Sequence, residues 1–448
     1  MTAVAPARAV AARVLERVEA DAAFADLALD AELTRHRLMP RDVGLATELI
    51  YGTLRWQRYL DWVLAPHSKR RLPSLDPRVR MILRMTAYQL VFLERVPGFA
   101  AVNDAVTLTR GRKPGVAEFV NAVLRSFSRR GAREREPAPP RDPVDALATR
   151  LSFPTWLAAR WIARFGTEEA EALMRSLNER PAVTLRTNTL RATREALLQR
   201  LRAEDSLAAT PTRHAPEGLI VEHGGAPGGW RAFVEGACVA QDEASILVGH
   251  LLAPAPGELV ADVCAAPGTK TTHLAQLMDN CGRILAFDPQ PARLARVAEM
   301  AARLGVTIAE TTGGTVEALA PRWQAACDAV LVDAPCSNLG VLRRNPDVKW
   351  RRAAADIAAS AVQQSQILAA AATMVKPGGR LVYATCSLEP EENDDLTRAF
   401  LAARGDFAPD PPADFPLALD AGGVLRCLPH REGTDGFTAV RFRRITAS

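Results

Sequence analysis

From position 257 onward, short apolar segments alternate with helical patterns, and this alternation restricts the fold more than any other feature of the chain. The predicted strands cover 259–264, 283–288, 329–333 and 380–386, and each is followed by a helical segment. Such a rhythm is typical of a mostly parallel sheet with helices on both faces, which binds ligands at the carboxyl ends of its strands. We therefore predict a Rossmann-like α/β domain over 241–448, with its chemistry directly after the strands.

The part of the chain before this region has a different organisation. Between positions 5 and 130, apolar residues recur three and four apart, which predicts an all-helical domain over 1–135. A charged, proline-rich segment at 131–141 is typical of an exposed linker. Mixed helical and strand patterns predict a small α+β domain over 143–240.

The charge is distributed unevenly between these regions. Residues 1–150 contain 25 Lys and Arg against 17 Asp and Glu, a balance of +8, whereas the whole chain carries +5. A basic module joined to a nearly neutral one favours a polyanionic partner, and nucleic acid is the commonest polyanion in the cytoplasm. A general abundance of arginine would give the same count, so charge alone leaves both readings open.

The composition excludes several other classes of protein. The seven cysteines form no CxxC pair, so neither a disulfide framework nor a zinc site is supported, and we expect no metal. The longest apolar stretch, 357–375, contains three glutamines, which argues against a membrane span. The N-terminal residues lack an uninterrupted apolar segment, and we therefore expect a cytoplasmic protein.

Two acidic residues follow the first two predicted strands. Asp262 begins the small-residue turn 262–270, which lets the backbone approach a ligand before a helix starts. Asp288 lies 26 residues later, where a doubly wound fold places an acid that accepts hydrogen bonds from a ribose. A tight strand-to-helix connection and a helix-capping aspartate remain alternatives for the turn and for Asp288.

Two other predicted strands end close to cysteines. Cys336 follows the strand 329–333, and Cys386 ends the strand 380–386. A buried cysteine is common in protein cores, but two at matching strand ends favour a reactive pair. Addition of a thiolate to C6 of cytosine turns C5 into a nucleophile that can accept a methyl group, and cysteine both attacks and leaves readily.

These motifs resemble those of the RNA cytosine-5 methyltransferases, and the resemblance extends over nearly the whole chain. It is carried by Asp-Val-Cys-Ala-Ala-Pro-Gly-Thr-Lys at 262–270, Asp-Ala-Pro-Cys-Ser at 333–337, Tyr-Ala-Thr-Cys-Ser at 383–387 and Glu-Pro-Glu-Glu-Asn at 389–393. In the first domain, Val-Asn-Asp-Ala-Val at 102–106 and Phe-Val-Asn-Ala-Val-Leu-Arg at 119–125 resemble NusB-like RNA-binding domains. This combination is similar to the bacterial 16S rRNA methyltransferases.

The resemblance implies roles for particular residues. Cys386 would be the nucleophile, Cys336 would assist release of the product, and Asp333 would hold the cytosine. DNA cytosine methyltransferases place their nucleophile in the Pro-Cys motif, so Cys336 is the alternative nucleophile. S-adenosylmethionine would be the cofactor, and the residues implied to bind it are Cys264, Ala265, Ala266, Pro267, Gly268, Thr269, Lys270, Asp288, Arg293, Gly314 and Asp333.

The sequence departs from the family pattern at two positions of the donor site. Thr269 stands where the family has a second glycine, and Gly314 stands where the family usually has an aspartate. A missing acceptor costs on the order of 1 kcal/mol of binding free energy. Compensation by Glu310 or Glu317, weaker affinity and loss of activity are all compatible with this change.

Basic clusters mark possible RNA contacts. The candidates for phosphate binding are Arg343, Arg344, Lys349, Arg112 and Lys113, and a solvated charged face is the alternative for each cluster. The nearby Trp350 could stack on a base or pack beneath its loop.

Together these features predict a monomeric enzyme that methylates C5 of a cytidine in small-subunit rRNA, with RNA as partner and no membrane. A tRNA cytosine-5 methyltransferase is the alternative with the same chemistry. A non-catalytic RNA-binding or ribosome assembly factor, with a donor site impaired at Gly314, is the alternative from another class.

Overall fold

The computed structural model describes residues 4–110, 113–129, 136–222 and 224–446. The chain forms two compact units, of which the first contains residues 1–180 and 342–351 and the second contains 181–341 and 352–448. Within the described residues, none of the helices combines the length and the apolar character needed to span a bilayer.

The helices and strands are numbered in chain order. The α-helices are α1 (Pro6–Ala20), α2 (Ala25–Arg35), α3 (Pro40–Arg55), α4 (Gln57–Leu64), α5 (Pro77–Phe92), α6 (Gly98–Thr109), α7 (Val116–Ser128), α8 (Pro143–Arg150), α9 (Thr155–Phe165), α10 (Thr167–Leu177), α11 (Arg194–Glu204), α12 (Arg231–Val234), α13 (Glu243–Leu252), α14 (Thr269–Leu277), α15 (Pro291–Leu304), α16 (Val316–Leu319), α17 (Val348–Arg351), α18 (Ala354–Met374), α19 (Asp394–Ala403) and α20 (Pro429–Glu432). The strands are β1 (Val183–Thr187), β2 (Ala209–Pro211), β3 (Gly218–Val221), β4 (Cys238–Ala240), β5 (Leu259–Asp262), β6 (Arg283–Asp288), β7 (Ala309–Gly313), β8 (Cys327–Asp333), β9 (Val375–Thr385), β10 (Phe407–Pro409), β11 (Leu425–Cys427) and β12 (Phe437–Arg444).

The first unit is helical, as the apolar spacing predicts. Helix α1 packs against α3 and α5, and its Val10, Val14 and Leu15 are buried in their common core. Proline at the first helical position, which lacks an N–H that would go unsatisfied there, begins α1, α3 and α5. The Asp76 side chain caps α5 by accepting from the backbone N–H groups of Arg78 and Val79.

Helices α8 to α10 also belong to the first unit, although the sequence assigned them to the second predicted domain. The Arg58 guanidinium in α4 donates to the carbonyl of Phe153 at 2.7 Å and to the carboxylate of Asp145 at 2.6 Å. Long-range polar contacts of this kind have no counterpart in local sequence pattern. Positions 131–135 of the predicted linker lie outside the described residues.

The second unit contains a small antiparallel sheet with the strand order β2-β3-β1-β4. Leu185 of β1 lies opposite Leu219 of β3, and both are buried against Leu197 and Leu201 of α11. This sheet and its helix confirm the predicted α+β character of the region. The strands β2 and β4 have three residues each, which is too short for a readable pattern.

The large sheet of the second unit is the predicted Rossmann-like α/β architecture. Its order is β10-β12-β9-β8-β5-β6-β7, with β11 paired to β12. The five strands from β5 to β9 run parallel, and β12 pairs antiparallel with β9. The edge strand β7 was not predicted, because its sequence is polar and largely exposed.

Residues 342–351 return to the first unit, and this placement changes the interpretation of Lys349. Its side chain is fully buried, and its ammonium donates to the carbonyls of Arg55 and Ser152 and to Asn178 Oδ1 at 2.7–3.1 Å. The ammonium also lies 3.8 Å from the centre of the Phe153 ring. The geometry does not support Lys349 as a phosphate contact, since all its donors face the interior of this unit.

We expect Lys349→Met to lower the free energy of unfolding of the first unit by about 3 kcal/mol. The substitution keeps the apolar stem but leaves three buried acceptors without their donor. Urea unfolding followed by tryptophan fluorescence measures the effect. The control is Lys69→Met, which removes an exposed lysine of the same unit and should change the free energy of unfolding by about 0.5 kcal/mol or less. Equal unfolding midpoints for Lys349→Met and the unsubstituted protein would contradict a structural role.

Candidate active site

The loop between β5 and α14 is shaped by contacts to the next strand and helix. The Ala265 N–H donates to the carbonyl of Phe287 at the end of β6, and Ala266 and Pro267 are joined by a cis peptide bond. Gly268 has a φ of 106°, and a Cβ there would lie 3.0 Å from the Cα of Val297 in α15. Glycine therefore serves both the backbone conformation and the close approach of α15. Thr269, the first departure from the family pattern, is the first residue of helix α14.

Carboxylates surround this loop. Burial raises the pKa of Asp262 to about 6, and its Oδ2 accepts from the Thr271 hydroxyl at 2.7 Å. Burial, and then the charges of Asp262, Asp333, Asp288 and Glu317, raise the pKa of the Cys264 thiol well above its usual range. A ligand that carries positive charge fits these surroundings.

Asp288 lies at the end of β6, as the sequence predicts, and is almost completely buried. Its Oδ1 accepts from the Gln290 N–H at 2.9 Å, and its Oδ2 lies 3.7 Å from the Arg293 guanidinium. Arg293 also donates to the Ala266 carbonyl at 3.3 Å, so it joins Asp288 to the preceding loop. The carboxylate keeps acceptor capacity for a ribose hydroxyl.

Gly314 stands beside Asp288 at the same edge of the sheet. Its N–H donates to the Asp288 carbonyl at 3.3 Å, and its φ of 145° favours glycine. Glu310 lies at the opposite end of the strands, where both its oxygens are held by Arg283 at 2.9 Å. Of the two acids considered as replacements for the missing aspartate, only Glu317 is near this loop.

Arg186 of β1 supports the end of the β5–α14 loop, and sequence reasoning did not identify it. Its guanidinium is fully buried and donates to the carbonyl of Thr269 at 2.7 Å and to the hydroxyl of Thr272 at 3.0 Å. Burial lowers its pKa to about 9. The small sheet therefore contributes a positioning group to the first turn of α14, a contact between residues 83 positions apart.

His273, the histidine of the same helix, belongs to a buried polar group. Its Nε2 lies 2.5 Å from the Glu217 carboxylate, and the Nε2 of His250 lies 3.0 Å from both oxygens. Burial lowers the pKa of His273 to about 3, so the imidazole is neutral and donates to the carboxylate. Gly249 makes room for the ring, since a Cβ there would lie 2.4 Å from its Nδ1.

The two strand-end cysteines are adjacent. The Sγ atoms of Cys336 and Cys386 are 3.1 Å apart, within hydrogen-bond distance, with Cys336 buried and Cys386 partly exposed. Asn338 Oδ1 lies 2.9 Å from the Cys386 sulfur, in a residue with a φ of 62°. The hydrogen bond with Cys336, burial and the charge of Asp333 raise the pKa of Cys386, so its resting state is the thiol.

Asp333 ends β8 next to these sulfurs. Its Oδ2 accepts from the Lys270 ammonium at 2.7 Å, and Lys270 also lies 5.0 Å from the centre of the Phe437 ring. The positive charge of Lys270 opposes the other influences on Cys386 and lowers its pKa. The predicted donor residues and the predicted catalytic residues thus meet at this ion pair.

The residues predicted to bind RNA, as far as the structure describes them, belong to the first unit. Arg343, Arg344 and Lys349 belong to the first unit, and Arg343 and Lys349 are buried there. Lys113 is exposed, whereas Arg112 lies outside the described residues. The Trp350 indole donates to the carbonyl of Leu54 at 2.7 Å, which favours packing over base stacking.

Comparison with known protein families assigns three successive regions of the chain to known domains. The NusB family matches residues 5–129, the ferredoxin-like domain of RsmF/B-like methyltransferases matches 153–226, and the 16S rRNA methyltransferase RsmB/F matches 249–443. The crystal structure of PH0851 has a TM-score of 0.84 and 29% identity, covering 99% of this chain and 100% of that one. The crystal structure of NSun6 from Pyrococcus horikoshii with SFG has a TM-score of 0.59 and 26% identity, covering 66% and 99%.

A full-length relative establishes the family. The probable ribosomal RNA small subunit methyltransferase B of Bacillus subtilis (strain 168) is 38% identical over 464 residues, which cover 98% of each chain. The sequence motifs, the fold and this level of identity all indicate the same family of methyltransferases. The chain therefore belongs to the 16S rRNA methyltransferase RsmB/F family, a family of RNA cytosine-5 methyltransferases.

Proposed function

We propose that this enzyme methylates C5 of a cytidine in small-subunit rRNA, with S-adenosylmethionine as donor and Cys386 as covalent nucleophile. The observation that carries the proposal is the pair of sulfurs 3.1 Å apart, at neighbouring strand ends beside Asp333 and Lys270. The names of the family and of the Bacillus subtilis relative support the choice of rRNA.

The donor site would be formed by the loop after β5 and the end of β6. When bound, S-adenosylmethionine supplies the methyl group for C5. Asp288 would accept from its ribose, and the carboxylates around Cys264 fit its positive charge. The relative solved with SFG, an analogue of this donor, supports the same cofactor.

Cys386 would attach to C6 of the base. Its proton passes to solvent, the thiolate sulfur forms the new bond to C6, and the electron pair of the broken C5–C6 double bond makes C5 nucleophilic. Lys270 would favour the thiolate because its positive charge lowers the pKa of Cys386. The target base must leave its stack to reach this sulfur, so we expect base flipping.

Cys336 would complete the reaction. After C5 has accepted the methyl group, its proton must be removed so that the double bond re-forms and Cys386 leaves as thiolate. Cys336 is the neighbouring sulfur, and as a thiolate that has released its own proton to solvent it would take this proton, with one proton released overall in the methylation. Asp333 would hold the amino side of the cytosine and favour a proton at N3.

We expect the two cysteine variants to differ in the RNA adduct that they accumulate. Cys336→Ala, which loses the release base, should retain a covalent protein–RNA complex with natural rRNA and the donor. Cys386→Ala should form none. A denaturing gel of labelled rRNA measures the shifted band, and far-UV circular dichroism checks folding. An adduct in Cys386→Ala that is absent from Cys336→Ala would instead assign the nucleophile to Cys336.

We expect Asp288→Asn to weaken donor binding about tenfold, the effect of losing roughly one charge-assisted hydrogen bond. Calorimetric titration with S-adenosylmethionine measures the affinity. The control is Glu310→Gln at the other end of the strands, which should bind like the unsubstituted enzyme. Unchanged affinity in Asp288→Asn would remove this residue from the donor site. Absence of donor binding in the unsubstituted enzyme would favour an RNA-binding assembly factor instead.

A further inference from the structure

Glu392 is a fully buried carboxylate that receives four hydrogen bonds. Its Oε1 accepts from the Ser337 N–H at 2.8 Å and from the Gln364 side chain at 2.9 Å. Its Oε2 accepts from the hydroxyls of Ser337 and Ser387. An ionised carboxylate offers lone pairs to all four donors, so each of its oxygens is fully used.

Both serines directly follow the two cysteines. Ser337 follows Cys336 after β8, and Ser387 follows Cys386 after β9, and their hydroxyl oxygens are 3.0 Å apart. One carboxylate therefore holds the residue next to each sulfur. A shift of Glu392 would move both cysteine loops.

The helix α18 and strand β9 keep Glu392 in place. Gln364 of α18 donates both to Glu392 and to the Pro335 carbonyl, at 2.9 Å each. The Tyr383 hydroxyl donates to the Glu392 carbonyl at 2.7 Å. The carboxylate therefore contacts Ser337 directly and is linked through Gln364 to Pro335, so it holds the residues on both sides of Cys336.

A backbone contact also joins the same two loops. The Gly340 N–H donates to the Cys386 carbonyl at 2.9 Å, and the Gly340 carbonyl accepts from the Gly436 N–H at 2.9 Å. A Cβ at Gly340 would lie 2.2 Å from the Gly436 carbonyl oxygen. The side-chain network of Glu392 and this backbone contact together leave the sulfurs little freedom.

We propose that Glu392 is a positioning residue that sets the separation of the two active-site sulfurs, so that both reach one cytosine ring. The inference rests on the proposed function for its catalytic consequence, whereas the effect on the sulfur separation stands independently. Attack at C6 and proton removal at C5 involve adjacent ring atoms, so the distance between the two sulfurs must stay small and nearly fixed. A displacement on the order of 1 Å can reduce a rate by up to about 100-fold.

The first test compares Glu392→Gln with Glu391→Gln, a control one residue away on the same turn. Gln keeps the shape but has only one acceptor oxygen for four donors. We expect kcat for rRNA methylation to fall roughly 10- to 100-fold in Glu392→Gln, with KM for RNA little changed and with Glu391→Gln like the unsubstituted enzyme.

Oxidation by diamide reports the sulfur separation without RNA or donor. The two thiols give up two electrons and two protons to form a disulfide, and diamide is reduced to the hydrazine. Mass spectrometry of the Cys386–Cys336 peptide measures the rate. We expect rapid cross-linking in the unsubstituted enzyme and in Glu391→Gln. In Glu392→Gln the sulfurs should separate, so cross-linking should be at least about fivefold slower.

Single serine variants keep the inference testable should Glu392→Gln fail to fold. Ser337→Ala releases the Cys336 loop, so it should accumulate protein–RNA adduct. Ser387→Ala releases the Cys386 loop, so it should form less adduct than the unsubstituted enzyme. Both should cross-link more slowly with diamide.

The outcomes separate this inference from the proposed function. A folded Glu392→Gln enzyme that cross-links at the normal rate would overturn it whatever its kcat, as would serine variants that cross-link at the normal rate. Slower cross-linking in an enzyme that methylates no RNA would refute the proposed function and retain the positioning role.

Discussion

The parallel pairing of β8 with β9 is the constraint on which the site depends. Asp333 of β8 lies opposite Ala384 of β9, so the residues that follow both strands emerge at one edge of the sheet. Cys336 and Cys386, which are 50 positions apart in sequence, reach a sulfur separation of 3.1 Å for this reason. Without that register, the thiols would be two unrelated core cysteines.

The loop proposed to bind the methyl donor depends on the neighbouring strands and on support from the small sheet. β5 and β6 bring the loop 263–268 beside Asp288, and Arg186 fixes the first turn of α14 through the Thr269 carbonyl. Lys270 lies in this turn and its ammonium donates to the Asp333 carboxylate beside the thiols. This ion pair therefore connects the residues proposed to bind the donor with the residues proposed to act on the base.

The sequence predicts which residues follow the strands because the hydrophobic period, the succession of predicted strands along the chain and the positions of the motifs can be read from it directly. It places Glu392 in a family motif but could not predict the contacts of Glu392 with Ser337, of Asn338 with Cys386 and of Arg186 with Thr269. These partners lie 48 to 83 positions apart, and their contacts depend on packing. The sequence likewise could not show that Lys349 of the basic cluster is buried. The sequence shows that Lys349 carries a cationic side chain, but only the folded structure shows that three carbonyl oxygens accept hydrogen bonds from its nitrogen. The polar strand β7 lacked an apolar pattern because it forms the edge of the sheet.

The measurement that tests the central claim most directly is mass spectrometry of the peptide attached to trapped RNA. Small-subunit rRNA that contains 5-fluorocytidine cannot lose the group at C5, so incubation with the unsubstituted enzyme and S-adenosylmethionine should hold the covalent complex. Digestion should then yield a nucleotide attached to the peptide that contains Cys386. Attachment at Cys336, or no attached peptide despite measured binding of donor and RNA, would contradict the account.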